Sequence, residues 1–316
     1  MKLLVTRQLT PEVEARAAHE FDVTFRNGST PMDEVEAARA LANYDALLVT
    51  LGDQVTAKAL KTAPRVKMIA NFGVGYNHIN VAAAQAAGVT VTNTPGAVTD
   101  ATADIALTLI LMSARRAGAG ERFVRRGDWT GWTPTQFLGQ HVSGKRVGII
   151  GMGRIGTAIA KRCHYGFGME VLFTKRSPLP DPGLPARQVS QDDLLKKCDF
   201  VVIAVPASPA THHLIGAPEI AKLQPHAHLI NIARGDIVQE TALIAALQAG
   251  AIAGAGLDVY EHEPDVPEAL RALDNVTLLP HLGTAALEVR DAMGHMAVDN
   301  LIAFRDGNSP PNRVTA

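Results

Sequence analysis

A short apolar run that ends in a glycine-spaced turn and restarts as a helix constrains this chain more than any other feature. Val147–Ile150 is the run, Gly151-Met-Gly153-Arg-Ile-Gly156 the turn, and Arg154–Tyr165 the helical stretch. In this context GxGxxG reads as a phosphate-binding turn. Gly151 permits the sharp bend, Gly153 lets backbone approach a pyrophosphate, and Gly156 lets helix and strand pack closely. The amides of Arg154 and Ile155 open the helix, where its dipole favours an anion. Such a strand–turn–helix unit commits the chain to an α/β architecture.

The rest of the sequence repeats that alternation. Leu3–Val5, Asp45–Thr50, Val66–Ala70 and Val89–Thr92 read as strands. Between them Pro11–His19, Met32–Ala42 and Val81–Ala87 read as helices, with Gly88 placed to stop the last. After the turn Asn93-Thr-Pro-Gly96, a long apolar helix runs from Asp100 to about Ala117. Gly118–Ser143 has little periodicity and carries Trp129, Trp132, Pro134 and Phe137, which suits an arm that packs on a partner subunit. In the second unit, strands follow at Val147–Ile150, Val171–Thr174, Phe200–Val205, His228–Ile232, Ala253–Val259 and Val276–Leu279. A proline-rich loop follows Thr174, and Ser190 with Asp193 forms a capping box. The last helix, about Ala285 to Phe304, is read as returning to the first unit. At roughly 150 residues per domain, 316 residues give about two domains. The predicted division is 1–97, 98–286 and 287–316, with the outer segments forming one discontinuous substrate-binding domain around a dinucleotide-binding domain.

Bulk properties exclude several classes. A formal net charge of −1 offers no field to hold nucleic acid or an anionic membrane. The start, MKLLVTRQLT, is too short in apolar residues for a signal peptide, and no apolar stretch reaches about 20 residues. Two cysteines, Cys163 and Cys198, fit a reducing cytosol, so the expected location is the cytoplasm. Neither cysteine has metal-ligand spacing and there is no HExxH; the close pairs His212–His213 and His226-x-His228 read as ordinary loop or strand-edge histidines.

Two sets of residues carry the chemistry. At the end of the strand after the glycine loop, an NAD-preferring site places Asp or Glu on the ribose 2′-hydroxyl. Here the sequence is Thr174-Lys175-Arg176-Ser177, with no carboxylate. Arg176 can hold a 2′-phosphate, assisted by Thr174 and Lys175, so NADP(H) is the preferred cofactor and NAD(H) the alternative. The second set lies at three later strand ends, the edge of an open α/β sheet that faces ligands. Arg234 can grip a carboxylate. His281 can give a proton to a carbonyl oxygen, and Glu263 can stabilise the imidazolium.

Several segments in order carry a family resemblance: Gly73-Val-Gly-Tyr-Asn-His-Ile-Asn80, Asn93-Thr-Pro95, Gly144 to Gly156, Asn231-Ile-Ala-Arg-Gly235, Asp258 to Pro264 and Pro280-His-Leu-Gly283. On these the chain resembles the D-isomer-specific 2-hydroxyacid dehydrogenases over nearly its whole length. Trp129-Thr-Gly-Trp-Thr-Pro134 with Phe137-Leu-Gly139 is similar to the glyoxylate/hydroxypyruvate reductase branch. The resemblance implies a Rossmann-type nucleotide-binding domain, a flavodoxin-like substrate domain, a cleft between them and a homodimer through the 118–143 arm. It implies Arg234, Glu263 and His281 as catalytic residues, and the Val74 and Gly75 amides on the substrate carboxylate. Asp258, Gly283 and Pro206 would meet the cofactor, and the substrate would be a small 2-oxo or 2-hydroxy acid. Leu51, Trp132 and Phe137 are candidates for lining its site. The chain departs from the family pattern at Asp104, where many members carry Glu, and at Ala204-Val205-Pro206, where many carry a His before the proline. Two other readings stay open on sequence: an NADH-dependent enzyme for a larger 2-oxo acid, and a nucleotide-sensing protein that acts by binding a partner.

Overall fold

Strands that are apolar at every position must be covered on both faces, so they belong inside parallel sheets flanked by helices. The computed structural model describes residues 1–61 and 64–315, and it divides into two compact units. The first comprises Met1–Val98 and Thr284–Ala316, the second Thr99–Gly283. The C-terminal helix therefore does belong to the first unit.

The first unit contains β1 (Lys2–Val5), β2 (Asp22–Phe25), β3 (Ala46–Thr50), β4 (Met68–Phe72) and β5 (Thr90–Thr92). Their spatial order is β5-β4-β3-β1-β2, all parallel, which is the flavodoxin-like winding. The C-terminal strand Arg313–Val314 adds antiparallel to β5. All residues of β3 and β4 are buried. One apolar core gathers Leu47, Val49, Ile69, Leu41 and Val91. The helix Leu287–Arg305 packs on β4 and on the helix Pro11–Glu20.

The second unit contains β6 (Arg146–Ile150), β7 (Glu170–Thr174), β8 (Ala186–Gln188), β9 (Phe200–Ile203), β10 (His228–Asn231), β11 (Gly254–Leu257) and β12 (Val276–Leu278). The order β12-β11-β10-β9-β6-β7-β8 is the Rossmann winding with one strand added, and every pairing is parallel. Two cores cover its faces. One includes Leu172, Val201, Leu229 and Leu257, the other Ile149, Phe173, Phe200 and the helix Thr99–Arg115 through Leu109 and Ile110. Winding reverses between β6 and β9, so the loop after β6 opens at the switch point where open α/β sheets take ligands.

Several expectations need correction. β2 is an unexpected strand: it lies at the sheet edge with the pattern Asp-Val-Thr-Phe and has no fully buried residue. Gly118–Ser143 is not wholly aperiodic. Ala117–Arg125 is a helix, entered after Arg116 in a left-handed conformation (φ 52°), and Gly118 and Gly120 mask its period. The proline-rich stretch contains β8. The fourth strand begins at Met68, two residues later than expected. The helix after the glycine loop stays α-helical only to Lys161, then widens into a π turn over Arg162–Gly166. At Ser190 only half the capping box forms. Ser190 Oγ accepts from the Asp193 amide at 3.1 Å, but the Asp193 carboxylate accepts from Ser190 Oγ and Lys197 Nζ rather than from the Ser190 amide.

Candidate active site

The glycine loop is built by close contacts that forbid a side chain. Gly151 has φ 105°, and a Cβ there would sit 2.7 Å from the Ala204 carbonyl oxygen. A Cβ on Gly156 would meet the Gly151 carbonyl at 2.1 Å. At Gly153, by contrast, a Cβ would meet nothing within 4 Å. Two glycines therefore serve packing, while the middle one leaves its space open to a ligand. Gly153 and Arg154 are exposed, and the helix that begins at Arg154 has no side-chain cap. Its first amides are thus available to an anion. These features fit a dinucleotide pyrophosphate.

β7 ends at Thr174, whose carbonyl accepts from the Gly151 amide at 3.0 Å, so the 174–177 loop is tied to the glycine loop. Lys175 and Arg176 are exposed, and among the described residues neither forms an ion pair. Gln188 on β8 shapes this loop. Its Nε2 donates to the carbonyls of Lys175 (2.9 Å) and Ser177 (3.2 Å), and its Oε1 accepts from the Leu179 amide. Sequence reasoning missed Gln188 because it missed β8. Pro206 is exposed after β9, and its carbonyl accepts from Thr211 Oγ1 at 2.8 Å.

The loops after β10, β11 and β12 bring together the three residues expected to do chemistry. His281 Nδ1 lies 2.8 Å from Glu263 Oε2, and each side chain is 30% exposed. Glu263 Oε1 accepts from the Tyr260 amide at 3.0 Å. Burial pushes the Glu263 carboxyl up, but the hydrogen bond and charge of His281, the Tyr260 amide and the Arg234 charge more than offset it. The net pKa lies below the usual carboxylate value. Arg234 itself is held below its ordinary value by burial, against the opposing charges of Glu263 and Asp236. The guanidinium donates to the Ala233 carbonyl at 2.7 Å. Asn231, 1% exposed, clamps this turn: its Oδ1 accepts from the Ala233 amide and its Nδ2 donates to the Arg234 carbonyl. Gly235 is obligatory, since a Cβ would lie 1.8 Å from the Tyr260 carbonyl carbon. That close approach holds the Arg234 turn against the Tyr260–Glu263 loop.

Asp258 sets the His281 turn. It is 1% exposed, and its two carboxylate oxygens accept from the amides of Leu282 (2.6 Å) and Gly283 (2.8 Å). Its carbonyl accepts from the His281 amide at 2.9 Å. These bonds hold His281 at φ 54°, a left-handed conformation that costs a non-glycine residue about 1 kcal/mol or more. Burial raises the Asp258 carboxyl, opposed by those amides and by the His281 charge. The site thus uses Asp258 as a backbone organiser, a role its motif position did not reveal.

The first unit places its candidate residues at the ends of β3 and β4. The Leu51 carbonyl accepts from the Arg7 guanidinium. Past β4, Asn71 Nδ2 donates to the carbonyls of Gly73 (2.9 Å) and Gly75 (3.0 Å), and Asn93 Nδ2 to that of Val74 (2.9 Å). The carbonyls are thereby tied back, while among the described residues nothing accepts from the Val74 or Gly75 amides. In the arm, Trp132 is 78% exposed and Trp129 53%. Phe137 packs edge-on against Phe123 at 5.2 Å. Outside these loops, His213 bonds Glu261 and His226 bonds Asp199. Among the described residues no group of three His, Cys, Asp or Glu could hold a metal, and no helix is long and apolar enough to cross a membrane.

Residues 107–283 match the family model for the D-isomer specific 2-hydroxyacid dehydrogenase, NAD binding domain. The chain belongs to that family. This dehydrogenase is 46% identical over 320 residues to a glyoxylate reductase from Thermococcus litoralis, covering 99% of this chain and 96% of the relative. It is 41% identical over 319 residues to one from Thermococcus onnurineus, covering 99% and 95%. Its fold matches an NADPH-dependent glyoxylate/hydroxypyruvate reductase from Sinorhizobium meliloti, solved with NADP and malonate. That match has a TM-score of 0.89 and 34% identity, covering 99% of this chain and 96% of the other. The dehydrogenase is an NAD(P)-dependent oxidoreductase of the glyoxylate reductase branch.

Proposed function

We propose that this enzyme reduces a small 2-oxo acid, glyoxylate or hydroxypyruvate, to the D-2-hydroxy acid with NADPH in the cytoplasm. The observation that carries the reading is the 2.8 Å hydrogen bond that His281 Nδ1 donates to Glu263 Oε2. It leaves Nε2 as the ring nitrogen that delivers the proton. When bound, the nicotinamide supplies hydride to the substrate carbonyl carbon. Arg234, with the Val74 and Gly75 amides, binds the carboxylate. His281 gives its Nε2 proton to the carbonyl oxygen, and Glu263 stabilises the charged imidazole before transfer. In the oxidative direction neutral His281 takes the proton, so reduction is favoured at lower pH than oxidation.

NADPH preference is supported by the loop Thr174–Ser177, which presents exposed Lys175 and Arg176 and no carboxylate. The glycine loop, Asp258, Gly283 and Pro206 complete the proposed cofactor contacts. The Sinorhizobium meliloti relative, named as NADPH-dependent and solved with NADP, supports the same choice. For the arm, a second copy of the chain is the proposed partner. Val124, Trp129, Trp132 and Leu138 are 53% to 78% exposed there, more apolar surface than a solitary arm tolerates well. The substrate-lining roles of Leu51 and Trp132 belong to the same proposal.

A kinetic panel tests the reading: glyoxylate, hydroxypyruvate, pyruvate and phenylpyruvate against NADPH and NADH. The expected result is highest kcat/KM for the small oxygenated acids with NADPH. A preference for phenylpyruvate with NADH, or no turnover of any 2-oxo acid, contradicts it.

A further inference from the structure

Gln188 is the last residue of β8, the strand at one edge of the second unit's sheet. It pairs in register with Phe173 of β7, and the Val189 amide donates to the Phe173 carbonyl at 2.9 Å. The Gln188 side chain reaches back to the loop that leaves β7. Its Nε2 donates to the carbonyls of Lys175 at 2.9 Å and Ser177 at 3.2 Å, and its Oε1 accepts from the Leu179 amide at 2.9 Å. A primary amide has two N–H donors, and here both go to residues that flank Arg176.

Among the described residues nothing else holds this stretch by hydrogen bonds: the backbone of 175–179 makes none to other backbone. Pro178 and Pro180 have no N–H to offer and bias the residues before them to extended conformations. Leu179 packs against the unit's core, so the loop is anchored there at one end and in β7 at the other. Between those anchors Arg176 is exposed and makes no ion pair among the described residues. No partner of its own places its side chain. Its backbone is placed, because the two carbonyls that bracket it converge on one nitrogen. A cation on a fixed backbone loses less freedom on meeting an anion than one on a loose loop. The glycine loop has a separate support. β6 pairs with β7 as far as Ile150 and Thr174, and the Gly151 amide bonds the Thr174 carbonyl. A change at Gln188 therefore loosens the segment around Arg176 and leaves the pyrophosphate turn in place.

We infer that Gln188 is a positioning residue for cofactor choice: by gripping the backbone on both sides of Arg176 it holds that guanidinium ready for a 2′-phosphate. This rests on the proposed preference for NADPH. It assigns part of the selectivity against NADH to β8, outside the 174–177 loop itself.

The test is a double-mutant cycle. Fluorescence titration gives Kd for NADPH and for NADH in the wild type, Gln188→Met, Arg176→Ala and the double variant, and melting transitions report folding. Methionine matches glutamine in length and offers none of its three bonds. Gln188→Met is expected to raise Kd for NADPH about three- to tenfold and to keep Kd for NADH within about twofold. In the Arg176→Ala background the same substitution is expected to change Kd for NADPH by less than about twofold, because no guanidinium is left to position. Equal weakening for both cofactors, an unchanged Kd for NADPH, or the full effect without Arg176 overturns the inference. If Gln188→Met does not fold, Gln188→Val, whose side chain suits an edge strand, takes its place in the cycle. Failure of both to fold makes Gln188 a residue of the fold rather than of cofactor choice, and overturns the inference too. A wild type that binds NADH as tightly as NADPH, or an Arg176→Ala variant with no selective loss, breaks the NADPH reading. A selective Arg176→Ala beside an unselective Gln188→Met breaks this inference alone.

Discussion

The regions around His228 and His281 put the same side chain to opposite uses. His228 opens β10 in the core of the second unit. It is 5% exposed, stacks on Phe200 at 5.4 Å and shares a 2.7 Å hydrogen bond with Ser113 Oγ. Burial, with a contribution from His226, pushes its pKa down to about 4. His281 follows β12 at the ligand edge, is 30% exposed and has a carboxylate on Nδ1. A hydroxyl partner in an apolar setting keeps an imidazole neutral. A carboxylate partner with access to solvent favours the imidazolium. Partner and burial, rather than residue type, separate a packing histidine from one able to move protons.

The largest expected effect breaks the comparison at the proton-handling side. His281→Ala should lower kcat about 10²- to 10⁴-fold while leaving NADPH affinity nearly unchanged. Steady-state kinetics with fluorescence titration of NADPH checks both halves. A variant that reduces glyoxylate at the parent rate removes His281 from the mechanism.

The next effect sharpens the packing side. The folded pKa of His228 lies below the ordinary imidazole value of 6.5. As pH falls below 6.5 the unfolded chain takes a proton that the folded chain refuses, so stability drops until about pH 4 and then levels. The contribution is at most about 3 kcal/mol. Urea unfolding at pH 7, 5.5 and 4.5 should show this loss in the wild type and less of it in His228→Gln. Equal slopes would show that His228 is not the group responsible. The buried thiols of Cys163 and Cys198, both pushed up to about 12, stay protonated throughout and add nothing in this window.

The smallest effect concerns the region that needs no such architecture. Arg176→Ala should raise KM for NADPH about tenfold, equivalent to ~1.4 kcal/mol, and leave KM for NADH within about twofold. An equal change for both cofactors contradicts a 2′-phosphate role.

How much of this was legible in the sequence follows from where each determinant sits. The strands of both sheets show as apolar runs because burial on two faces leaves no polar position. β2 and β8 did not show, being edge strands whose side chains are only partly covered. Arg234, Glu263 and His281 were visible as polar residues at strand ends. What fixes them was not. The Asp258 carboxylate accepting from the Leu282 and Gly283 amides and the close approach of Gly235 to Tyr260 join residues far apart in the sequence, and the Asn231 clamp, though local, depends on ångström-level geometry. Local patterning contains neither kind of information.

The pairing of Glu263 with His281 is tested most directly by kcat for 2-oxo acid reduction in the wild type and in Glu263→Gln, measured at saturating NADPH beside the affinity for NADPH. An amide cannot hold and orient the ring as a carboxylate does, so Glu263→Gln should lower kcat at least about tenfold and leave NADPH affinity unchanged. A variant that keeps the wild-type kcat would contradict the account.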